Sequence, residues 1–264
     1  MKLTLAEIRI HPIKSLGGFL VNEAQLTDRG LQHDRRWMLV DGEGTFVSQR
    51  EVPTMACLHT APQGDGFRVT DVRDGTTLDL PWTWRDERTL MTSVWSDRLR
   101  TVPSLDEHSR WFSSHLERPL TLVYLPDATK RHTDGRYAQS LTSLSDAFPY
   151  LIASQASLND LNARLDVPVP MDRFRPNLVI AGGTPFQEDD WRAITIGIVR
   201  FQLVKPCARC VIVTTDQLTS ERTKEPLRTL ASYRSKGNKV MFGMNAVGDT
   251  SGMVKVGAVV TVLS

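Results

Sequence analysis

The chain has 264 residues, enough for one large β-rich domain or two ordinary ones with a substantial buried core, so size alone demands no covalent staples. Lysine and arginine number 32 against 30 acidic residues, a near-neutral balance that argues against a dedicated nucleic-acid binder. The three cysteines, at positions 57, 207 and 210, make a poor disulfide framework and fit a reducing compartment.

The opening segment MKLTLAEIRIHPIKS is broken by charge and proline before any apolar run reaches signal-peptide length. No run approaches the ~18 apolar residues of a membrane span, so a cytoplasmic protein without membrane contact is expected. Short alternating apolar runs predict strands over 3–11, 18–26, 36–40, 45–47, 66–69, 76–80 and 99–102. Asp41-Gly42, Asp65-Gly66 and Asp74-Gly75 mark turns between them. This half reads as a β-barrel or sandwich, closed by a helix over 105–116 in which Trp111, Phe112 and Leu116 fall at helical spacing. The polar stretch 127–139 predicts a mobile loop near a site or boundary. A helix follows over 154–165, with Ser154 placed to cap it. Strands are then predicted over 177–181, 193–198, 199–204, 211–215 and 254–262, with a helix over 225–233 between the last two. Arginine and lysine cluster at Arg35-Arg36, Lys130-Arg131 and Arg173 with Arg175, each either a solvated face or part of a site.

The segment Lys205-Pro206-Cys207-Ala208-Arg209-Cys210 carries the chemistry. A structural zinc site wants four ligands, and no histidine follows Cys210. A thioredoxin-type dithiol wants its first cysteine at a helix N-terminus, whereas Val-Ile-Val-Thr-Thr reads as a strand. An iron–sulfur cluster wants four thiolates, which the chain cannot supply. A single thiolate on a soft metal carried by a cofactor needs only what is present, and Lys205 and Arg209 favour a thiolate from the free value of ~8.5. In an extended segment residues three apart point to opposite faces, so one sulfur would face a given pocket. Two buried cysteines packing as small hydrophobes remain the alternative.

The run from Lys205 to Asp216, with Phe174-Arg175-Pro176-Asn177-Leu178-Val179-Ile180 before it and Lys224-Glu225-Pro226-Leu227 after it, resembles the molybdenum-cofactor-sulfurase C-terminal (MOSC) domain. His11-Pro12-Ile13-Lys14-Ser15 and Asp34-Arg35-Arg36-Trp37-Met38-Leu39-Val40 resemble the β-barrel domain that precedes MOSC in mitochondrial amidoxime-reducing components and their bacterial relatives. The resemblance implies a mainly β chain with α+β elements. It comprises an N-terminal MOSC-associated β-barrel domain over 1–120 and a MOSC β-barrel domain with flanking helices over 121–264.

It also implies a molybdenum cofactor, Mo-molybdopterin, whose metal is held by Cys210, with Cys207 the weaker choice. Lys14, Ser15, Arg35, Arg175 and Asn177 match positions that surround the cofactor, the arginines suiting its phosphate. Asp146 matches a motif position where it would hydrogen-bond the metal's oxygen ligand or the substrate; the alternative is a capping or turn aspartate. The implied activity is reduction of small N-oxygenated, above all N-hydroxylated, compounds, and the rival role is cofactor carriage or storage without turnover. Barrel plus MOSC are expected to leave no room for a pyridoxal-phosphate domain, and no cysteine follows Cys210 to serve a ferredoxin domain, so electrons are expected from a separate flavoprotein or iron–sulfur protein.

Overall fold

Alternating burial sets the longest strand. In Val199–Arg209, Val199, Phe201 and Leu203 are buried while Arg200 and Gln202 face outward, the period of two that a half-covered strand requires. The computed structural model, which describes residues 2–264, pairs this strand antiparallel with Lys239–Gly248 from Phe201 to Arg209. They form the centre of a nine-stranded sheet. Outward on one side lie Tyr150–Ser154, Leu178–Ala181, Thr4–Ile10 and Phe19–Val21; on the other lie Ala193–Ile196 and Val260–Val262. Tyr150–Ser154 and Leu178–Ala181 run parallel to each other.

The first strand thus belongs to a sheet built mainly from residues beyond 150, and its Leu5, Ile8 and Ile10 share a core with Ile152, Ile180, Phe201 and Leu203. After Ile10 the chain leaves this sheet for a second body. There Trp37–Val40, wholly buried, pairs with Thr121–Tyr124, followed by Asp97–Pro103 and Leu90–Val94. A three-stranded sheet of Leu58–Gln63, Gly66–Asp71 and Thr77–Pro81 packs there too, sharing a core with Trp37, Leu39, Phe112 and Leu122. The architecture is mainly β with three α-helices among the described residues, none long and apolar enough to cross a membrane.

Helix α1, Asp106–His115, buries Phe112 against the second body. In α2, Gln155–Asn162, the Ser154 hydroxyl accepts from the Ser157 amide at 3.0 Å, as its position predicts. Leu158 and Leu161 then pack with Phe174, Leu230 and Phe242. Leu230 comes from α3, Leu227–Tyr233.

Three expectations are corrected, and one strand went unpredicted. Residues 211–215 are not a strand: Val211–Thr214 is a 3-10 turn, stitched by Val213 N to Cys210 O at 3.3 Å. Residues 254–262 divide into Met253–Lys255 and Val260–Val262, in different sheets, because Gly257 turns the chain at φ +85°. The predicted loop 127–139 includes Arg131–His132 paired with Leu141–Thr142. Its buried Arg131 bonds Asp97 at 2.8 Å and the Ser143 carbonyl at 3.0 Å, tying down a segment expected to be mobile. Lys239–Gly248 gave no strand signal, since Met241, Gly243, Met244 and Asn245 carry little β propensity.

Two predictions concern stability. Ser154→Ala removes the α2 cap and should cost about 1 kcal/mol of unfolding free energy in urea titrations; an unchanged midpoint would refute the cap's contribution. Glu188 is wholly buried, and one carboxylate oxygen accepts from Ser157 Oγ at 2.7 Å. Burial pushes its pKa up. Its favourable contribution is therefore complete below the unfolded-state pKa and is lost as pH rises through the higher folded value. Thermal unfolding of Glu188→Gln should show stabilisation that grows from pH 4 to pH 8; a gain confined to acid would contradict the sign.

Candidate functional site

A cavity of about 750 Å³ opens between the two bodies, within the ~300–1,000 Å³ range of small-molecule sites. Five stretches converge on it. The turn after Thr4–Ile10 brings Lys14 and Ser15, with the Lys14 amide donating to Trp37 O at 2.8 Å. The segment before Trp37–Val40 brings Arg35, and the loop before Tyr150–Ser154 brings Asp146. The approach to Leu178–Ala181 brings Arg175 and Asn177, and the end of Val199–Arg209 brings both Cys207 and Cys210. Each of these candidate site residues lines the one cavity.

Arg35 Nη1 donates to Asp34 Oδ2 at 2.6 Å and to Asn177 Oδ1 at 2.9 Å, and Nη2 donates to the Arg175 carbonyl at 3.0 Å. Asn177 Oδ1 also accepts from the Leu151 amide at 3.2 Å, and Nδ2 donates to the Arg9 carbonyl at 3.3 Å. These two side chains hold each other and the cavity wall. Arg175 Nη1 donates to the Leu16 carbonyl at 2.6 Å. Burial, with Arg35 beside it, pushes Arg175 down to about 9. Ser15, Arg35 and Arg175 all sit at positive φ, +69°, +48° and +54°, a conformation that side chains other than glycine adopt at a cost, and such outliers gather at functional sites.

Asp146 is neither a cap nor a turn aspartate here: its carboxylate takes Lys14 Nζ at 2.5 Å on one oxygen and Arg50 Nη2 at 3.1 Å on the other. Its side chain is exposed, 54%, and lines the cavity. Burial would raise its pKa, but Lys14 and Arg50 outweigh that and hold the carboxyl well below the usual range. Burial in turn pushes Lys14 down to about 8, against the pull of Asp146. Arg50, whose guanidinium also stacks over Trp95 at 4.7 Å, counts both Asp146 and Cys210 among the groups that favour its charge.

The cysteines depart from the expectation that only one sulfur faces the pocket. The strand carries a register shift between Pro206 and Ala208 and ends at Arg209, and Cys210 (φ −120°, ψ −178°) leads directly into the 3-10 turn. Strict alternation therefore fails, and both residues line the cavity. The strand premise used against a dithiol fails with it. Even so, the turn after Cys210 is only four residues long, and Cys207 lies within a strand rather than at a helix N-terminus. Arg209 Nη1 donates to Cys207 Sγ at 3.0 Å, so the expected cation acts on that thiol. Packing of both thiols as buried hydrophobes is excluded, since neither is buried. Among the basic clusters, Arg131 and Arg173 are buried rather than solvated, Arg173 pairing with Asp216 at 2.7 Å.

Three lining residues had no sequence signal: Arg50, Lys236 and Lys239, whereas Tyr137 comes from the 127–139 stretch expected near a site. Only the fold brings them to one surface. The donor set suits a cofactor with a soft metal and an anionic tail. It offers thiols, several cations against the single acid Asp146, and a buried Arg209 Nε without a partner.

Comparison with known proteins gives the same ordering along the chain. Residues 2–119 match the MOSC N-terminal beta barrel domain and residues 139–261 the MOSC domain. The human mitochondrial amidoxime-reducing component 1 is 31% identical over 286 residues, covering 96% of this chain and 81% of that protein. Its mouse counterpart is 32% identical, covering 96% and 80%. The rice molybdenum cofactor sulfurase is 32% identical over 270 residues, covering 91% of this chain but 32% of the sulfurase, so the chain spans about a third of that relative's length. The chain belongs to the MOSC-domain family, in the arrangement that carries a MOSC N-terminal β-barrel domain ahead of the MOSC domain.

Proposed function

We propose that this chain binds the molybdenum cofactor and reduces small N-oxygenated compounds, such as hydroxylamines, amidoximes and N-hydroxylated bases, with electrons from a separate redox protein. The observation that carries the reading is the convergence of Cys210, Lys14, Asp146 and Arg175 on one cavity from distant parts of the chain. When bound, the cofactor would supply two-electron redox chemistry at a metal, with the electrons replenished by the separate redox protein. Overall an N–OH group, two electrons and two protons become N–H and water.

The protein's residues supply position, charge and protons. Cys210 would be the metal's ligand, a soft thiolate on a soft site. Arg175, whose charge is disfavoured by burial and by Arg35, would gain most from an anionic group beside it, and its planar fork suits a phosphate. Arg35 and Asn177, bonded to each other, fix the wall on which Arg175 stands. Ser15 adds its left-handed turn to that wall and its carbonyl accepts from Gln49 at 2.7 Å. Asp146, kept ionised by Lys14 and Arg50, would accept the hydrogen bond of an incoming N–OH group. Lys14 Nζ, bonded to the same carboxylate and pushed down to about 8, would hold the proton for the leaving oxygen.

Two experiments test this. Expressed with active cofactor synthesis, the protein should carry about one molybdenum per chain by elemental analysis; Cys210→Ser should be metal-free and Cys207→Ser loaded. Equal loading of Cys210→Ser would sink the ligand assignment. Asp146→Asn should keep its molybdenum while kcat for an N-hydroxylated purine, with a chemical reductant, drops about 10²-fold or more. A fully loaded wild-type protein without any turnover would instead mark a carrier.

A further inference from the structure

Two cations grip the Asp146 carboxylate, and each is seated on an aromatic ring. Lys14 Nζ lies 5.1 Å from the centre of the Phe46 ring, and the Arg50 guanidinium lies 4.7 Å from that of Trp95. The two rings meet edge to face at 4.9 Å, so one aromatic pair carries both partners of the acid. A ring face attracts a cation through its quadrupole, most strongly for tryptophan. The Arg50–Asp146 pair is partly open to solvent, and such pairs hold weakly by themselves. The indole restricts Arg50 to the arrangement that meets Asp146 Oδ2 at 3.1 Å.

Trp95 holds this place at a cost. Val94 pairs with Asp97 where Leu90–Val94 meets Asp97–Pro103, which leaves Trp95 and Ser96 as a two-residue hairpin turn. Trp95 takes φ +56° at the first position of that turn, where glycine is usual and a bulky side chain is an outlier. Burial does not account for it, since Trp95 stays 50% exposed. The same hairpin end reaches Asp146 by a second route: Asp97 pairs with Arg131 at 2.8 Å, and Arg131 Nη2 donates to the Asp146 carbonyl at 3.3 Å. Backbone strain that packing does not repay is a pointer to function. We propose that Trp95 is a positioning residue, whose indole holds the Arg50 guanidinium on the Asp146 carboxylate, and that the hairpin accepts a strained tip in order to present it. Trp95 does not line the cavity, so it acts through Arg50 rather than on a substrate. The proposal rests on the reductase reading for what Asp146 does, though not for where Arg50 sits.

The test sets stability against activity in the molybdenum-loaded protein. Trp95→Asn suits the turn and removes the ring, so its urea midpoint should be no lower than wild type while kcat for an N-hydroxylated purine falls about fivefold at unchanged molybdenum content. Trp95→Phe keeps a ring and should retain about half of the wild-type kcat or more. In an Arg50→Gln background, Trp95→Asn should alter kcat by less than about twofold, because the group it acts through is gone. A readout free of turnover is the Arg50 Nε–H proton resonance, identified by its loss in Arg50→Gln. It should be displaced by the indole ring current in wild type and return to the ordinary arginine range in Trp95→Asn. Wild-type kcat or an unmoved Arg50 resonance in Trp95→Asn would overturn the proposal. So would a urea midpoint that falls together with kcat, which would make Trp95 a merely structural residue. Absence of any turnover by the loaded wild type would instead defeat the reductase reading, and the Arg50 resonance would then decide the positioning by itself.

Discussion

The Arg35 guanidinium is the contact on which the site depends. Through its main chain, Arg35 N donates to His11 O at 2.7 Å and its carbonyl accepts from Leu144 at 2.9 Å. Through its side chain it reaches Asp34, Asn177 and the Arg175 carbonyl. Four stretches, near residues 11, 35, 144 and 176, are thereby fixed around one group. The ion pair with Asp34 is nearly closed to solvent, with side chains 10% and 2% exposed. Taking two charges out of water is costly, and deleting one partner of such a pair typically costs ~3–5 kcal/mol because the other is stranded. The return is positional: Arg175 and Asp146, which face the cavity, take their places beside a group held by three side-chain hydrogen bonds.

The chemistry then follows from charge distribution. A lone carboxylate between Lys14 and Arg50 stays ionised and can accept a hydrogen bond. The cations around it outnumber it, so the cavity is prepared for anions before any arrives. The left-handed backbone at Ser15, Arg35 and Arg175 is a local cost that the surrounding hydrogen bonds sustain, and it falls on three residues proposed to surround the cofactor.

Much of this was legible in the sequence, because local patterns carry it. Ser154 before an apolar periodicity gave α2, and the β-branched alternation at 199–204 gave the central strand. The site motifs stood out by residue type and order, and the candidate residues drawn from them reach one cavity. What the pattern missed has physical causes. Val211–Thr214 has strand propensity, but the chain must turn after Cys210, and hydrogen bonding within the turn overrides the preference. Lys239–Gly248 lacks a run of β-branched side chains and is a strand because its neighbours on both sides supply the ladder. Arg50 has no local signature, since its position at the cavity is a property of tertiary structure alone. The first strand's place beside Leu178–Ala181, far along the chain, is likewise a long-range pairing that no window of sequence reports.

Both cysteines line the cavity, so the central question for the proposed metal site is how many of them would serve it. Molybdenum-edge X-ray absorption on the loaded wild-type protein and on Cys207→Ser answers it most directly. A single protein sulfur on the metal is predicted, with an identical sulfur count in Cys207→Ser. Two protein sulfurs in wild type, or a sulfur lost on replacing Cys207, would contradict the single-thiolate site.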